Sequence, residues 1–209
     1  MAGFQLRAVH LLTFAYLLGV AGTLWDWHEH LIGLSNQVPH LVIDVGGLFA
    51  IGVLAFSEWK AVSNRTLTVL WALLILVLMI AFAPFVLMMT APHSQLMSLF
   101  MGWAMTRGAL TIELPIIALA AYAGWRWLRL APLSPWRIAA ASGVVVVAVA
   151  GVWDLYWHQT HPLEMGASMN MIALPPHQLI LAGFLLGLIG SGADVLLSAA
   201  SPGAALAES

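Results

Sequence analysis

Aspartate and histidine recur in this chain in a pattern that suits metal binding. The pattern is Trp-Asp, a His four residues after the Asp, and later a Pro-His pair, and it occurs twice. Asp and His four residues apart share one face of a helix, and Pro suits the first turn of the next helix. A helix end and the next helix start therefore bring one carboxylate and two imidazoles together, a ligand set that suits copper, zinc or iron. The two predicted triads are Asp26, His30 and His40, and Asp154, His158 and His177.

Other side chains near the two motifs are candidates for an auxiliary role. Thioether sulfur is a soft ligand that favours Cu(I), so the Met residues after the second motif favour copper, with zinc as the alternative. These Met residues either bind the metal or fill apolar gaps. Asp44 lies one turn after His40 and is expected to orient that ring, whereas Glu113 is a further ligand, a proton relay or the partner of Arg107. The auxiliary candidates are His28, His161, Met165, Met169, Met171, Glu113 and Asp44.

The composition requires a lipid environment for this chain. Of its 209 residues, 62% are hydrophobic and only 8% are charged, whereas soluble domains carry about 25% charged residues. The formal net charge of -2 provides no basic surface for nucleic acid. Cysteine is absent, which excludes disulfides, thiolate metal sites and cysteine nucleophiles. The chain is therefore expected to contact the lipid bilayer.

Apolar stretches of about 20 residues, the length that spans a bilayer, predict an all-α membrane helix bundle. Six transmembrane helices are expected in a single domain, residues 1–209, with a short interfacial helix or helix extension at 94–105 and a flexible tail at 199–209. The repeated motif, at 25–46 and 153–183, predicts an internal repeat. The six spans are 6–25, 40–56, 66–89, 107–127, 136–157 and 177–197.

The distribution of Lys and Arg predicts the orientation of the bundle. Six of the 7 basic residues fall on one side of the six predicted spans, and only Arg107 falls on the other. The positive-inside rule then places both termini in the cytoplasm. Seven of the 8 histidines lie on the opposite side, with His10 as the exception. The predicted location is the inner membrane of a bacterium, with the metal-binding face toward the periplasm.

The second motif resembles the C subunit of the copper membrane monooxygenases, the particulate methane and ammonia monooxygenases. The matching residues are Asp154, His158 and His177, with Trp157 before the first His and Pro176 before the second. The resemblance is limited to the motifs, and the loops between the histidines differ in length from those of the family. It implies copper at each triad, oxidation of small apolar substrates by O2, and assembly with other membrane subunits.

Four functions are compatible with these patterns. The first is a copper-dependent oxidoreductase, similar to a monooxygenase, acting alone, as a homo-oligomer or with other subunits. The second is a membrane protein that handles or inserts copper without turnover. The third is a zinc-dependent membrane hydrolase, because two His and a carboxylate can activate a zinc-bound water. The fourth is an accessory subunit that docks a partner through its polar face.

Overall fold

The computed structural model describes residues 2–33, 38–57, 90, 94–96, 98–99, 108–129, 132–160 and 174–200. The long elements within these ranges are all helices. The side chains of residues 2–7, 56, 108–113, 155, 158–159 and 198–200 lie outside the described part of the structure. The five helices are α1 (Ala2–Leu31), α2 (Val38–Phe56), α3 (Gly108–Leu128), α4 (Pro135–Thr160) and α5 (Pro175–Ala200).

Local sequence explains where these helices begin and end. Helix α1 ends before Gly33, which adopts the left-handed conformation with φ of +72° and donates its N–H to the His30 carbonyl at 3.3 Å. Glycine reaches this conformation without the steric cost of a side chain. Helix α4 begins with Pro135 after Ser134, whose Oγ accepts a hydrogen bond from the Arg137 N–H at 3.1 Å. Helices α2 and α5 also carry Pro in their first turns.

Four of these helices are long and apolar enough to cross a membrane, which identifies an integral membrane protein. They correspond to the first, second, fifth and sixth predicted spans. The fourth span falls on α3, where the described apolar stretch Leu114–Leu128 is shorter. The third span, at 66–89, lies outside the described residues, as does most of the segment at 94–105. The membrane-crossing stretches are Ala8–Leu31, Val38–Ala55, Pro135–Asp154 and Pro175–Leu197.

The described helices pack as two antiparallel hairpins, α1 with α2 and α4 with α5. Helix α1 of the first hairpin packs on α5 of the second, and α2 packs on α4. At the centre, the buried Tyr16 hydroxyl donates a hydrogen bond to the Ala140 carbonyl, and its ring meets Phe184 edge to face at 6.5 Å. The hydroxyl therefore has a partner in an apolar core, where an unsatisfied polar group is costly.

Glycine allows close helix contact at the same position of each hairpin. A Cβ added at Gly46 would lie 2.7 Å from the Gly19 backbone nitrogen, and one at Gly183 would lie 3.0 Å from the Val147 nitrogen. Gly46 and Gly183 each follow the His of a Pro-His pair by six residues, and Gly19 and Val147 each precede an Asp of the motif by seven. In each hairpin, the close contact therefore lies at the same number of residues from the Asp and the second His of the motif.

Helix α3 packs on α4 and α2, and its last turn contacts α4 at the end of the bundle opposite to the motifs. The Nη2 of Arg137 donates a hydrogen bond to the Trp127 carbonyl at 2.9 Å, and its guanidinium lies 4.2 Å from the centre of the Trp127 ring. Arg137 stands in the first turn of α4, whereas Asp154 stands near its end. At a rise of 1.5 Å per residue, the two are separated by about 25 Å along the helix.

Candidate metal centre

The first motif converges at the end of the α1–α2 hairpin. Asp26 lies in the last two turns of α1 and is only 7% exposed. His30 follows one helical turn later, and its Nε2 lies 3.4 Å from Asp26 Oδ1. His40 stands at the start of α2, and its Nδ1 lies 3.2 Å from the same oxygen. One ligand atom from each of the three residues lies within 4.8 Å of the other two, so the three could hold a metal ion.

One ring nitrogen of each His in this triad is buried. His30 Nε2 and His40 Nδ1 are buried and have no hydrogen-bond partner, although each lies close to Asp26 Oδ1. The two rings are nearly perpendicular, with an interplanar angle of 87° and 6.1 Å between their centres. Buried polar atoms are normally satisfied. Here two imidazole nitrogens and a carboxylate oxygen converge without hydrogen-bond geometry. Such a donor set fits a metal ion.

The second motif is described in part. His177, in the first turn of α5, places its Nε2 2.9 Å from Oδ1 of Asp154 near the end of α4. This contact corresponds to the one between His40 and Asp26 in the first motif. His158 belongs to α4, but its side chain lies outside the described part. The following loop is also outside it, including His161, Met165, Met169 and Met171.

The remaining predicted site residues occupy different surroundings. His28 is exposed on α1, in contrast to Asp26 and the partly buried His30 on the same helix. Asp44 lies one turn into α2 from His40 and interacts electrostatically with Asp154 of the other hairpin. Glu113 belongs to α3, but its side chain lies outside the described part. His28 and Asp44 are thus the auxiliary candidates whose side chains are described, and of the two only Asp44 is partly buried.

Sequence reasoning did not single out Glu29 beside the first triad. Glu29 is only 8% exposed, and its Oε1 accepts a hydrogen bond from the Trp25 Nε1–H at 2.8 Å. The two residues are four apart, a spacing at which side chains meet on a helix. The sequence signal for this buried carboxylate is therefore the Trp-x3-Glu spacing of Trp25 and Glu29 within the first motif. Trp25 therefore stabilises the buried Glu29 carboxylate by a hydrogen bond, in addition to any contact it makes at the membrane interface.

In comparisons with known proteins, no family model, curated protein or solved structure matches the chain.

Proposed function

We propose that this chain is a membrane-embedded metalloprotein that binds a metal ion through Asp26, His30 and His40. The observation that carries the proposal is the convergence of three ligand atoms within 4.8 Å, two of them buried ring nitrogens without a hydrogen-bond partner. Ionisable side chains are costly in a membrane helix and usually serve a function there. A bound cation offsets that cost because it compensates the charge of the buried Asp26.

We propose copper as the metal. Imidazole and carboxylate alone accept copper, zinc or iron. The preference for copper comes from the Met residues in the loop after the second motif and from the resemblance of both motifs to the copper membrane monooxygenases. Zinc is the alternative that the same ligands permit. By the distribution of Lys and Arg, the site faces the periplasm of a bacterial inner membrane.

Oxidation of a small apolar substrate by O2 is the activity we propose, either by this chain alone or as part of a larger membrane assembly. A bound copper ion supplies one-electron redox chemistry. The proposed ion lies at the end of the bundle, where the His40 side chain is 32% exposed and the Asp26 side chain only 10% exposed. O2 consumption by the copper-loaded protein, with an added reductant and an apolar substrate, tests this activity. Tight copper binding without turnover would instead favour a copper-handling protein.

Metal analysis of the purified full chain tests the site itself. We expect metal to copurify with the wild-type protein or to bind after reconstitution, and to be lost in His30→Ala and His40→Ala. His28→Ala is the matched control, because His28 lies on the same helix but is exposed. Equal metal content in all variants, at unchanged helical content by circular dichroism, would show that the triad is not the site.

A further inference from the structure

Three arginines gather where α3 ends and α4 begins, at the end of the bundle opposite to the motifs. Arg126 stands in the last turn of α3, Arg129 directly follows that helix, and Arg137 stands in the first turn of α4. They belong to the α3–α4 junction, defined as residues 125–129 and 132–137. Ionisable side chains next to lipid are costly and usually serve a function, so this concentration of charge requires a physical explanation.

Arg137 is buried and joins the two helices at this junction. It is only 7% exposed, its Nη2 donates a hydrogen bond to the Trp127 carbonyl at 2.9 Å, and its guanidinium lies 4.2 Å from the centre of the Trp127 ring. The Arg129 N–H donates to the Arg126 carbonyl at 2.9 Å, so Trp127 belongs to the same turn as these two arginines. Arg137 therefore holds the start of α4 against the turn of α3 that carries them.

The Arg129 side chain lies back along α3, toward the apolar part of that helix. Its guanidinium carbon lies 5.1 Å from the centre of the Trp125 ring, within the range of a cation–π interaction. Trp125 belongs to the apolar stretch Leu114–Leu128 and is exposed. Tryptophan concentrates at the level of the lipid headgroups. The cation of Arg129 is therefore held at that level of the bilayer.

The junction exposes large apolar side chains together with its charges. Trp125, Leu133 and Trp136 are all exposed. Arg129 is also exposed, and Arg126 is partly exposed. Exposed apolar surface in combination with cations is typical of the boundary between acyl chains and headgroups. The α3–α4 junction therefore offers both kinds of contact to a lipid molecule.

The described side chains at this end of the bundle carry more positive than negative charge. The three guanidiniums stay protonated at physiological pH. Among the carboxylates with described positions, Asp194 lies at this end and interacts electrostatically with the buried Arg137. The others lie toward the motifs, and they are Asp26, Glu29, Asp44 and Asp154. A cationic surface beside the bilayer attracts anionic headgroups.

We propose that the α3–α4 junction binds the headgroup phosphate of an anionic phospholipid through Arg126 and Arg129. Guanidinium donates paired N–H groups that match phosphate oxygens. Trp125 orients Arg129, and Arg137 acts as a positioning residue that keeps the two helices together. A lipid is favoured over a free anion because the exposed Trp125 and Trp136 provide apolar contact for its glycerol and acyl carbons. This site is independent of the metal centre at the other end of the bundle.

Lipid titration of the purified full chain tests this site. Protein in a neutral detergent is titrated with dioleoylphosphatidylglycerol or dioleoylphosphatidylcholine, and bound lipid is counted by native mass spectrometry. We expect the wild-type protein to bind phosphatidylglycerol more tightly than phosphatidylcholine. The affinity for phosphatidylglycerol should fall roughly fivefold in Arg126→Gln or Arg129→Gln and about 25-fold in the double variant. The affinity for phosphatidylcholine should not change, and circular dichroism should show unchanged helical content.

Two further variants separate this site from general attraction to negative lipid. Arg107→Gln removes the same charge at a position predicted to lie on the opposite side of the membrane, and it should keep wild-type affinity. Arg129→Lys keeps the charge but loses the planar guanidinium above Trp125, so its affinity should lie between those of the wild type and Arg129→Gln. Equal affinity for the two lipids, or an equal loss in Arg107→Gln, would refute the site.

Inorganic phosphate and metal content provide the remaining controls. Inorganic phosphate at millimolar concentration should not displace phosphatidylglycerol from the wild-type protein. Displacement would show that the junction binds a free anion, which would refute the lipid site. Metal content should be the same in the wild type and in the variants at Arg126 and Arg129. Loss of lipid preference with metal retained, or loss of metal with lipid preference retained, therefore distinguishes failure of this inference from failure of the proposed function.

Discussion

Gly46 of α2 lies directly against the backbone of Gly19 in α1, with only 2.7 Å between an added Cβ at Gly46 and the Gly19 nitrogen. Asp26 lies two turns further along α1, and His40 lies six residues earlier on α2. The contact between the two glycines therefore sets the separation of the helices just below the first triad. The 3.2 Å distance from His40 Nδ1 to Asp26 Oδ1 depends on that separation.

Gly46→Ala should weaken metal binding without changing any ligand. The new methyl group meets backbone atoms of Gly19 and Ala15, which cannot rotate away, so the helices must separate. We expect a loss of about 1–3 kcal/mol in the free energy of unfolding, a typical cost of overpacking. Gly52→Ala is the matched control, because a Cβ there meets nothing within 4 Å. Thermal melting and metal titration in detergent measure both effects, and equal behaviour of the two variants would contradict this account.

Metal binding at the first triad should stabilise the folded protein. The ion joins the end of α1 to the start of α2, and a ligand that binds only the folded state adds about 2.7 kcal/mol at a concentration of 100 times its Kd. We expect the melting temperature of metal-stripped protein to rise on addition of Cu(II) or Zn(II). His40→Ala should abolish the rise and His28→Ala should retain it. A similar rise in all three proteins would indicate nonspecific binding.

The Met residues of the second loop should distinguish Cu(I) from Zn(II). Replacing Met165, Met169 and Met171 with Leu approximately preserves side-chain volume and removes the thioether sulfur. Cu(I) affinity should fall while Zn(II) affinity changes little, because Zn(II) uses the imidazole and carboxylate ligands. Competition with chromogenic chelators measures both affinities. Unchanged Cu(I) affinity in the triple variant would assign these residues to packing.

The predicted orientation can be measured directly, because the chain contains no native cysteine to interfere with labelling. Met169→Cys should react with a membrane-impermeant thiol reagent from the periplasmic side, and Ser209→Cys only after the cytoplasmic side is made accessible. The physical basis is the preference of Lys and Arg for cytoplasmic segments. Labelling of both positions from the same side would show that the number of spans or their orientation is wrong.

Local sequence predicted the first triad because its geometry depends mainly on one helix and its neighbour in the chain. Asp26 and His30 are one turn apart on any helix, and the Pro-His pair at the start of α2 supplied His40. The first apolar span was predicted to end near residue 25, whereas the stretch that could cross a membrane extends to Leu31. The polar residues Asp26 and Glu29 lie buried in that extension, which apolar character does not indicate but the four-residue spacing of Asp26 and His30 does.

The packing of one hairpin on the other could not be predicted in the same way. It depends on which helices pack together, α1 on α5 and α2 on α4. The repeated motif indicated that both copies face the same side, but a repeat spacing does not specify the distance between copies. Asp44 illustrates this limit. Its spacing from His40 follows from the local sequence, whereas its position relative to the α4–α5 hairpin depends on packing between segments that are far apart in the chain.

The position of the first triad within a single hairpin affects the order of biogenesis. Asp26, His30 and His40 all belong to the first 56 residues, whereas α5 ends at Ala200. At about 5–20 residues per second, synthesis of the remaining chain takes roughly 7–30 seconds. The three side chains of the first triad are therefore synthesised while the last helix is still on the ribosome, so under the proposed function a metal ion could bind before synthesis reaches α5.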